Sequence, residues 1–330
     1  MELEKICMLT EYSCEKPNGS IMRAKWQYET LQKSGFKNIS LIDNFSKHSK
    51  KPNNCLFHAQ QHSGKFLEKK SYISDLHGIA HEEMWHKSFS NLLPTWKKFG
   101  FRIKSNAIKK LENKIWTNSL HLICASDMIY EKVKNIQSAT IVRNAVNVNE
   151  YPSTQCNDLR VAVVGPFLPG TQNYEALELL HYCVKNSPTI HFDFIGDVSD
   201  DFKNTLNFSN VNFMGRVKNY VQSLSSCNVL LSPYPPHSHI IASKTKMLEA
   251  GACQMAVITS ESGGLGFPDD LLLIGKSKKD FIEKLEYLKD EKARNSLGKN
   301  LRSEILKNYN TETETIKLLK LYNEFLPQIP

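Results

Sequence analysis

What the chain lacks narrows its class first. Its eight cysteines stand singly at 7, 14, 55, 124, 156, 183, 227 and 253, with no C-x-x-C pair. A chain of 330 residues does not need disulfide staples, so reduced thiols in a cytosolic protein are expected. No stretch approaches the roughly 18 uninterrupted apolar residues that a bilayer span requires. The opening MELEKICMLTEY carries acids ahead of its apolar run, unlike the basic start of a signal peptide. The expectation is a cytoplasmic protein, at most peripheral on the inner face of a membrane. There is no G-x-G-x-x-G and no Walker loop, so dehydrogenase and P-loop readings have no local support. Carboxylates paired as in a glycoside hydrolase are not visible, and there is no short-period repeat. With 41% hydrophobic and 10% aromatic residues, disorder is excluded as well.

What is present divides into two halves. The net charge of +8 is unevenly held: residues 1–157 carry 23 basic and 14 acidic side chains, residues 158–330 carry 19 and 20. The first half therefore attracts something anionic, and the second is close to neutral. In the first half KICMLTEY, NISLIDN, CLFHAQQ, SYISDLHG, LHLICAS and TIVRNAV read as strands, with a helix from about Ile21 to Lys33 closed by Ser34-Gly35. Asn149–Asp158 (NEYPSTQCND) breaks the pattern as a linker. LRVAVVG, IHFDFIG, VNFMG, CNVLLSPY, MAVITS and DLLLIG then repeat it, and amphipathic helices follow at Asp280–Leu288, Ala293–Lys307 and Glu312–Phe325. Apolar strands alternating with helices imply parallel sheets covered on both faces. The expected architecture is two doubly wound α/β domains in tandem, with the ligand site in the cleft between them.

The most informative stretch is Val211–Gly266. Within it SKTKMLEAGA reads as a helix whose first turn carries Ser243, Lys244, Thr245 and Lys246. Cations at a helix N-terminus oppose the macrodipole unless an anion sits there. Glu249 lies three residues after Lys246 on the same face, which pairs a phosphate-binding cation with a carboxylate able to accept two hydroxyl hydrogen bonds. A solvated Lys–Glu surface pair fits the same spacing.

VNFMGRV…CNVLLSPY…KTKMLEAGACQMAVITSESGGLG resembles the donor-binding half of family-4-type retaining glycosyltransferases, which have the GT-B fold. VAVVGPFLPGTQNYEALELL and IHFDFIGD resemble the opening of the nucleotide domain, IVRNAVNVNEYP the entry to the linker, and DLHG a strand end that places a histidine in the cleft. The resemblance implies an acceptor-side domain over 1–150, a linker over 151–158, and a nucleotide-sugar domain over 159–310. The helix of 311–330 is expected to pack back on the first domain. It implies Glu249 on the nucleotide ribose, Lys246 on the donor diphosphate, and Gly215 and Arg216 near the base or phosphate. Gly263 and Gly264 fall in the turn after the next strand, Gly165 at the end of the opening strand, and Asn18-Gly19 in a loop facing the donor phosphate. His77 is expected to orient the sugar. The catalytic set implied is His77, Lys246 and Arg216, with Lys244 or Arg216 as the second cation. The donor is a UDP- or GDP-linked sugar, the acceptor a glycan, glycolipid or lipid-linked molecule, and no metal or other cofactor is expected.

Two departures from the family pattern stand out. The first glutamate of its E-x7-E signature falls at Ile241, which cannot hydrogen-bond a sugar, and the arginine expected after Gly165 is absent, Pro166 and Phe167 following instead. These keep open a catalytically degenerate relative that acts as a binding subunit in glycan assembly. Two other segments invite separate readings. In HGIAHEEMWH a zincin would need H-E-x-x-H, and the spacing is wrong, so surface histidines beside the cleft are expected. Residues 96–116 carry seven basic side chains against Glu112, and Trp96, Phe99, Ile108, Leu111 and Ile115 can form one apolar stripe. That suits a helix on an anionic membrane surface, or equally one packed on the core with a solvated basic face. No nucleic-acid-binding signature is present, and no nucleic-acid partner is expected.

Overall fold

The structure is a computed structural model that describes residues 5–13, 19–67, 70–154, 156, 158–268 and 270–326. In the first domain the strands are β1 (Lys5–Leu9), β2 (Ile39–Ile42), β3 (Cys55–Gln60), β4 (Tyr72–Leu76), β5 (His121–Cys124) and β6 (Ala139–Ile141). They form a sheet in the order β2-β1-β3-β4-β5-β6, parallel throughout. Helices α1 (Gly19–Lys33), α2 (Ala80–Lys87), α3 (Thr95–Asn118) and α4 (Asp127–Val133) flank it. The second sheet runs β12-β11-β10-β7-β8-β9 and is also parallel. Its strands are β7 (Arg160–Val164), β8 (His191–Ile195), β9 (Val211–Gly215), β10 (Val229–Ser232), β11 (Ala256–Ser260) and β12 (Leu273–Gly275). Around it lie α5 (Gln172–Glu175), α6 (Leu177–Asn186), α7 (Asp200–Thr205), α8 (Tyr220–Ser225), α9 (Thr245–Ala252), α10 (Glu261–Gly264), α11 (Lys278–Tyr287) and α12 (Glu291–Asn308).

The strands lack alternation because both faces are covered, and their period of two sorts residues onto two cores. In β1, Cys7 and Leu9 join one cluster while Ile6 and Met8 join the other. In β7, Ala162 and Val164 face one way and Val161 and Val163 the opposite way. The last helix, α13 (Thr311–Phe325), lies on the first domain: Leu318, Leu321 and Tyr322 share a core with Ile6, Met8 and Ala24. Thr315 Oγ1 donates to Thr30 Oγ1 of α1 at 2.8 Å.

Some elements differ from the sequence expectation for identifiable reasons. TIVRNAV yields a strand of only three residues. The Val142 carbonyl is taken by Arg23 Nη2 at 2.7 Å and the Arg143 N–H by Glu314 Oε2 at 2.7 Å. The lysine-rich helix begins at Thr245, with Lys244 as its N-cap, so Ser243 lies outside it. Gly263 and Gly264 are not a free turn but the end of α10. Trp96 and Phe99 do not continue the stripe of Ile115: the first two are 71% and 65% exposed, whereas Ile115 is buried.

The domains meet along a seam formed by the loop between β10 and α9. Ile241 and Ala242 are packed into the first domain's core beside Ile79 and Ala125. Ser126 Oγ donates to the Ile241 carbonyl at 2.6 Å, and Asn144 Nδ2 to the Ser243 carbonyl at 2.8 Å.

Candidate active site

In each sheet the chain reverses its direction of strand addition once, between β1 and β3 in the first and between β7 and β10 in the second. Ligands bind at the carboxyl ends of strands at such a point. At the second of them the backbone of the β8 turn presses on that of β7: a Cβ on Gly196, whose φ is +131°, would lie 3.2 Å from the Gly165 carbonyl carbon. Only glycine allows that approach there.

Lys246 lies directly over this point. Its ammonium donates to Asn173 Oδ1 at 3.1 Å and the Val164 carbonyl at 3.4 Å, and it stands 4.9 Å from the centre of the Tyr234 ring. Burial pushes its pKa down to about 8, partly offset by Glu249. Glu249 Oε2 accepts from Tyr220 Oη at 2.7 Å and Oε1 from Tyr151 Oη at 3.3 Å. Burial raises this carboxyl to about 7. Lys246 and Glu249 are therefore not a solvated surface pair: each is enclosed and held by its own neutral partners, which preserves an ammonium and a carboxyl on one helix face.

Lys244 is placed differently. It is 6% exposed, and its ammonium donates to the carbonyls of Ile240 at 2.8 Å and Leu265 at 2.5 Å. Burial lowers it to about 7. Arg216 follows the edge strand β9, with its side chain 83% exposed and paired to Asp197 Oδ2 at 2.7 Å. Among the described residues the structure shows no contact between Arg216 and Lys246. Gly215, at φ +64°, accepts from the Gly196 N–H at 2.9 Å. The Gly263 N–H is capped by Ser260 Oγ at 3.3 Å, and Gly264 packs on Ile274. Gly19 opens α1; Asn18 lies outside the described residues.

On the facing domain His77 follows β4. Its Nε2 bonds Gln60 Oε1 and its Nδ1 is buried without a partner. Burial pushes the ring down to about 3, so it is neutral. Beneath it Asp75 is fully buried. Burial alone would raise its carboxyl, but the Arg23 guanidinium and His58 hold it well below the usual carboxylate range. Arg23 reaches Asp75 Oδ1 from Nη2 at 3.0 Å and from Nε at 3.1 Å. Gln27 and His58 donate to Oδ2 at 2.9 and 3.1 Å, and the far side of His58 bonds Tyr322 Oη of α13 at 2.5 Å.

The histidine-rich segment after His77 lies in the single helix α2, and its side chains take separate partners. Glu112 of α3 accepts from the Ala80 and His81 N–H groups at 2.9 and 3.2 Å, and from His81 Nδ1 and His62 Nε2 at 2.6 and 3.2 Å. Glu82 bonds Lys132 at 2.8 Å and, across the seam, His239 at 3.1 Å, where His239 stacks on His86. Among the described residues no group of three His, Cys, Asp or Glu side chains is placed to hold a metal. Glu83 sits against Gly78 and faces Lys244; burial and then Glu112 raise it to about 7.

The residues that sequence reasoning missed are Arg23, Gln27, Gln60, Asp75, Glu83 and Tyr234. A signal existed for two of them: Gln60 and Asp75 are polar residues inside mostly apolar, fully buried strands, which also hold His58 and Ser74.

Comparison with known proteins agrees with this fold. Residues 173–320, most of the second domain, match the family model described as glycosyl transferase-like. No curated protein matches the sequence. Among solved structures the chain is similar to sucrose-phosphate synthase from Thermosynechococcus elongatus, at TM-score 0.73 and 14% identity over 97% of this chain and 98% of that one. It is similar to Anabaena HepE in complex with UDP and glucose, at 0.69 and 12% over 97% and 100%. A Staphylococcus aureus TarM variant in complex with fondaparinux, alpha-GlcNAc-glycerol and UDP aligns at 0.62 and 17% over 91% and 58%. The chain has the GT-B fold of glycosyltransferases: two tandem Rossmann-like domains with an intervening cleft.

Proposed function

We propose that the protein is a retaining glycosyltransferase that moves a sugar from a nucleotide diphospho-sugar, UDP- or GDP-linked, to a glycan, glycolipid or lipid-linked acceptor. The observation that carries this is the enclosed pair Lys246 and Glu249 at the second domain's switch point, on a helix whose N-terminus lacks a side-chain cap. Glu249 takes the ribose hydroxyls. Lys246 and the free N–H groups of the first turn of α9 stabilise charge on the departing diphosphate, where water exclusion strengthens each interaction. Because that ammonium neutralises the leaving group, the reaction is expected to need no metal. His77 orients the sugar from the opposite domain, and closure about Tyr151-Pro152 gates turnover.

The acceptor is assigned to the basic first domain. At its α2–α3 corner Trp85, Phe89, Trp96, Phe99 and Ile103 are exposed, interleaved with Lys97 and with Arg102, which stands 5.6 Å from both the Trp85 and Phe89 rings. Aromatic side chains set among cations suit the interface of an anionic membrane, where a lipid-linked acceptor would be found. No helix among the described residues is long and apolar enough to cross a membrane.

One observation favours the degenerate alternative. Lys244 and Arg216 are engaged elsewhere, which leaves Lys246 to meet the diphosphate with helix N–H groups alone. The test is a thermal-shift screen of the purified chain against UDP, GDP and their sugar conjugates without metal, followed by turnover with candidate acceptors. Stabilisation by one nucleotide family with turnover that Lys246→Ala reduces by orders of magnitude is the expected result. Binding without turnover would establish the binding-subunit reading instead, and no shift with any nucleotide would remove both.

A further inference from the structure

We propose that a hydrogen-bond relay from Asp75 through Gln27 and Gln60 fixes His77 as its Nε2–H tautomer, so that the transferred sugar must present a hydroxyl rather than a carboxylate to Nδ1. The tautomer is a property of this chain alone; the substrate clause rests on the glycosyl-transfer reading above.

The polarity of the relay is set at its buried end. Asp75 is 0% exposed and held by the Arg23 fork, so it is ionised and its oxygens only accept. Gln27 must therefore turn Nε2 to Asp75 Oδ2, at 2.9 Å, which leaves its Oε1 as an acceptor. That oxygen takes Gln60 Nε2 at 2.9 Å, and the same nitrogen stands 3.4 Å from Asp75 Oδ2. Turning the Gln60 amide over would set its oxygen against two acceptors, Gln27 Oε1 and Asp75 Oδ2, and would gain only His58 Nε2 at 3.1 Å, whose proton Asp75 Oδ2 already takes. Gln60 Oε1 is thus the atom that faces His77 Nε2, and an amide oxygen cannot donate. The proton of the neutral imidazole belongs on Nε2. Nδ1 is left with a lone pair that is buried and unpartnered among the described residues. Such an acceptor is expected to find a donor in the functional state. A sugar hydroxyl supplies one; a uronate carboxylate is itself an acceptor and is repelled. Gln27 and Gln60, 0% and 2% exposed, are in this reading positioning residues that act through His77.

Ring nitrogens can be read directly in the full-length chain labelled with 15N-histidine, the His77 signals being assigned by their loss in His77→Gln. The expected pattern is a single Nε2-protonated ring, unchanged between pH 8 and 5. Gln60→Met should bring in the Nδ1-protonated form. Gln27→Met, one step further from the ring, should do so partially, and stands in if the first variant fails to fold. A parent ring protonated at Nδ1, or already doubly protonated at pH 7, overturns the relay whether or not the chain transfers sugar. Turnover of UDP-glucose against UDP-glucuronate, and of GDP-mannose against GDP-mannuronate, tests the substrate clause. The neutral hexose should be preferred by roughly 100-fold or more, with the gap narrowing in Gln60→Met. Equal or better use of the uronate refutes the clause. Failure of every donor would instead count against the glycosyl-transfer reading, with the ring spectrum still deciding the relay.

Discussion

If a diphosphate binds over α9, the protein should take up protons as it binds. The free site holds two lysines whose charge is disfavoured by burial, Lys246 at about 8 and Lys244 at about 7. At pH 8, by the titration curve of a single group, Lys246 is about half protonated and Lys244 about one-tenth. An anion beside an ammonium favours its charged form, so binding raises these values towards the ordinary lysine range. The uptake is then about half a proton if Lys246 alone is engaged, and about 1.4 if Lys244 also leaves its two carbonyls for the phosphate. Glu83 and Glu249, at about 7, are about nine-tenths ionised at pH 8; held ionised in the complex, they release at most about a tenth of a proton each and lower the net uptake slightly. Calorimetric titration of the matching nucleoside diphosphate at pH 8 in Tris and in HEPES gives the number from the dependence of the heat on buffer ionisation enthalpy. At pH 6 both lysines are already charged and their contribution should vanish. Lys246→Met should remove its half proton. A buffer-independent heat at pH 8, or net release of protons, would refute the placement of the phosphate on these lysines.

Two further outcomes follow from other parts of the molecule. Arg23→Met leaves the Asp75 carboxylate buried without its counter-charge, which should cost about 3–5 kcal/mol in the unfolding of the first domain. All four tryptophans, at 26, 85, 96 and 116, lie in that domain, so intrinsic fluorescence in urea reports it selectively, and a loss below about 1 kcal/mol would contradict the account of the network. Replacing the exposed Trp96 and Phe99 together by serine should change stability by no more than about 0.5 kcal/mol each. It should nevertheless abolish cosedimentation with phosphatidylglycerol vesicles; a parent chain that binds neutral vesicles equally well, or neither kind, would rule out the anionic-membrane assignment.

The helix and strand elements were largely legible in sequence because their signals are local. Ser34-Gly35 ends α1 since Gly35 adopts φ +91° and the Phe36 N–H closes on the Leu31 carbonyl at 3.0 Å, a geometry glycine takes without strain. The i, i+3 spacing of Lys246 and Glu249 placed them on one face before any fold was known. The stripe over residues 96–116 failed at its amino end for the converse reason. Periodicity defines a helix face, but whether another element covers that face depends on distant chain: Ile115 and Trp116 meet the first domain's core, while Trp96 stays exposed.

The contrast is sharpest among the lysines and at His77. Lys244 and Lys246 are equivalent by composition and only two residues apart, yet one caps carbonyls at 240 and 265 and the other lies over Asn173 and β7. Ile241 was legible as a missing carboxylate; that its side chain instead plugs the first domain's core was not. The sequence by itself determined two covered parallel sheets and the helix that carries the ammonium and carboxyl, because each rests on hydrogen bonding and side-chain period within a few residues. The tertiary structure alone decided which lysine lies at the switch point and which side chain faces His77 Nε2. Those depend on partners such as Arg23 and Asp75, 52 positions apart, that only packing brings within hydrogen-bond distance.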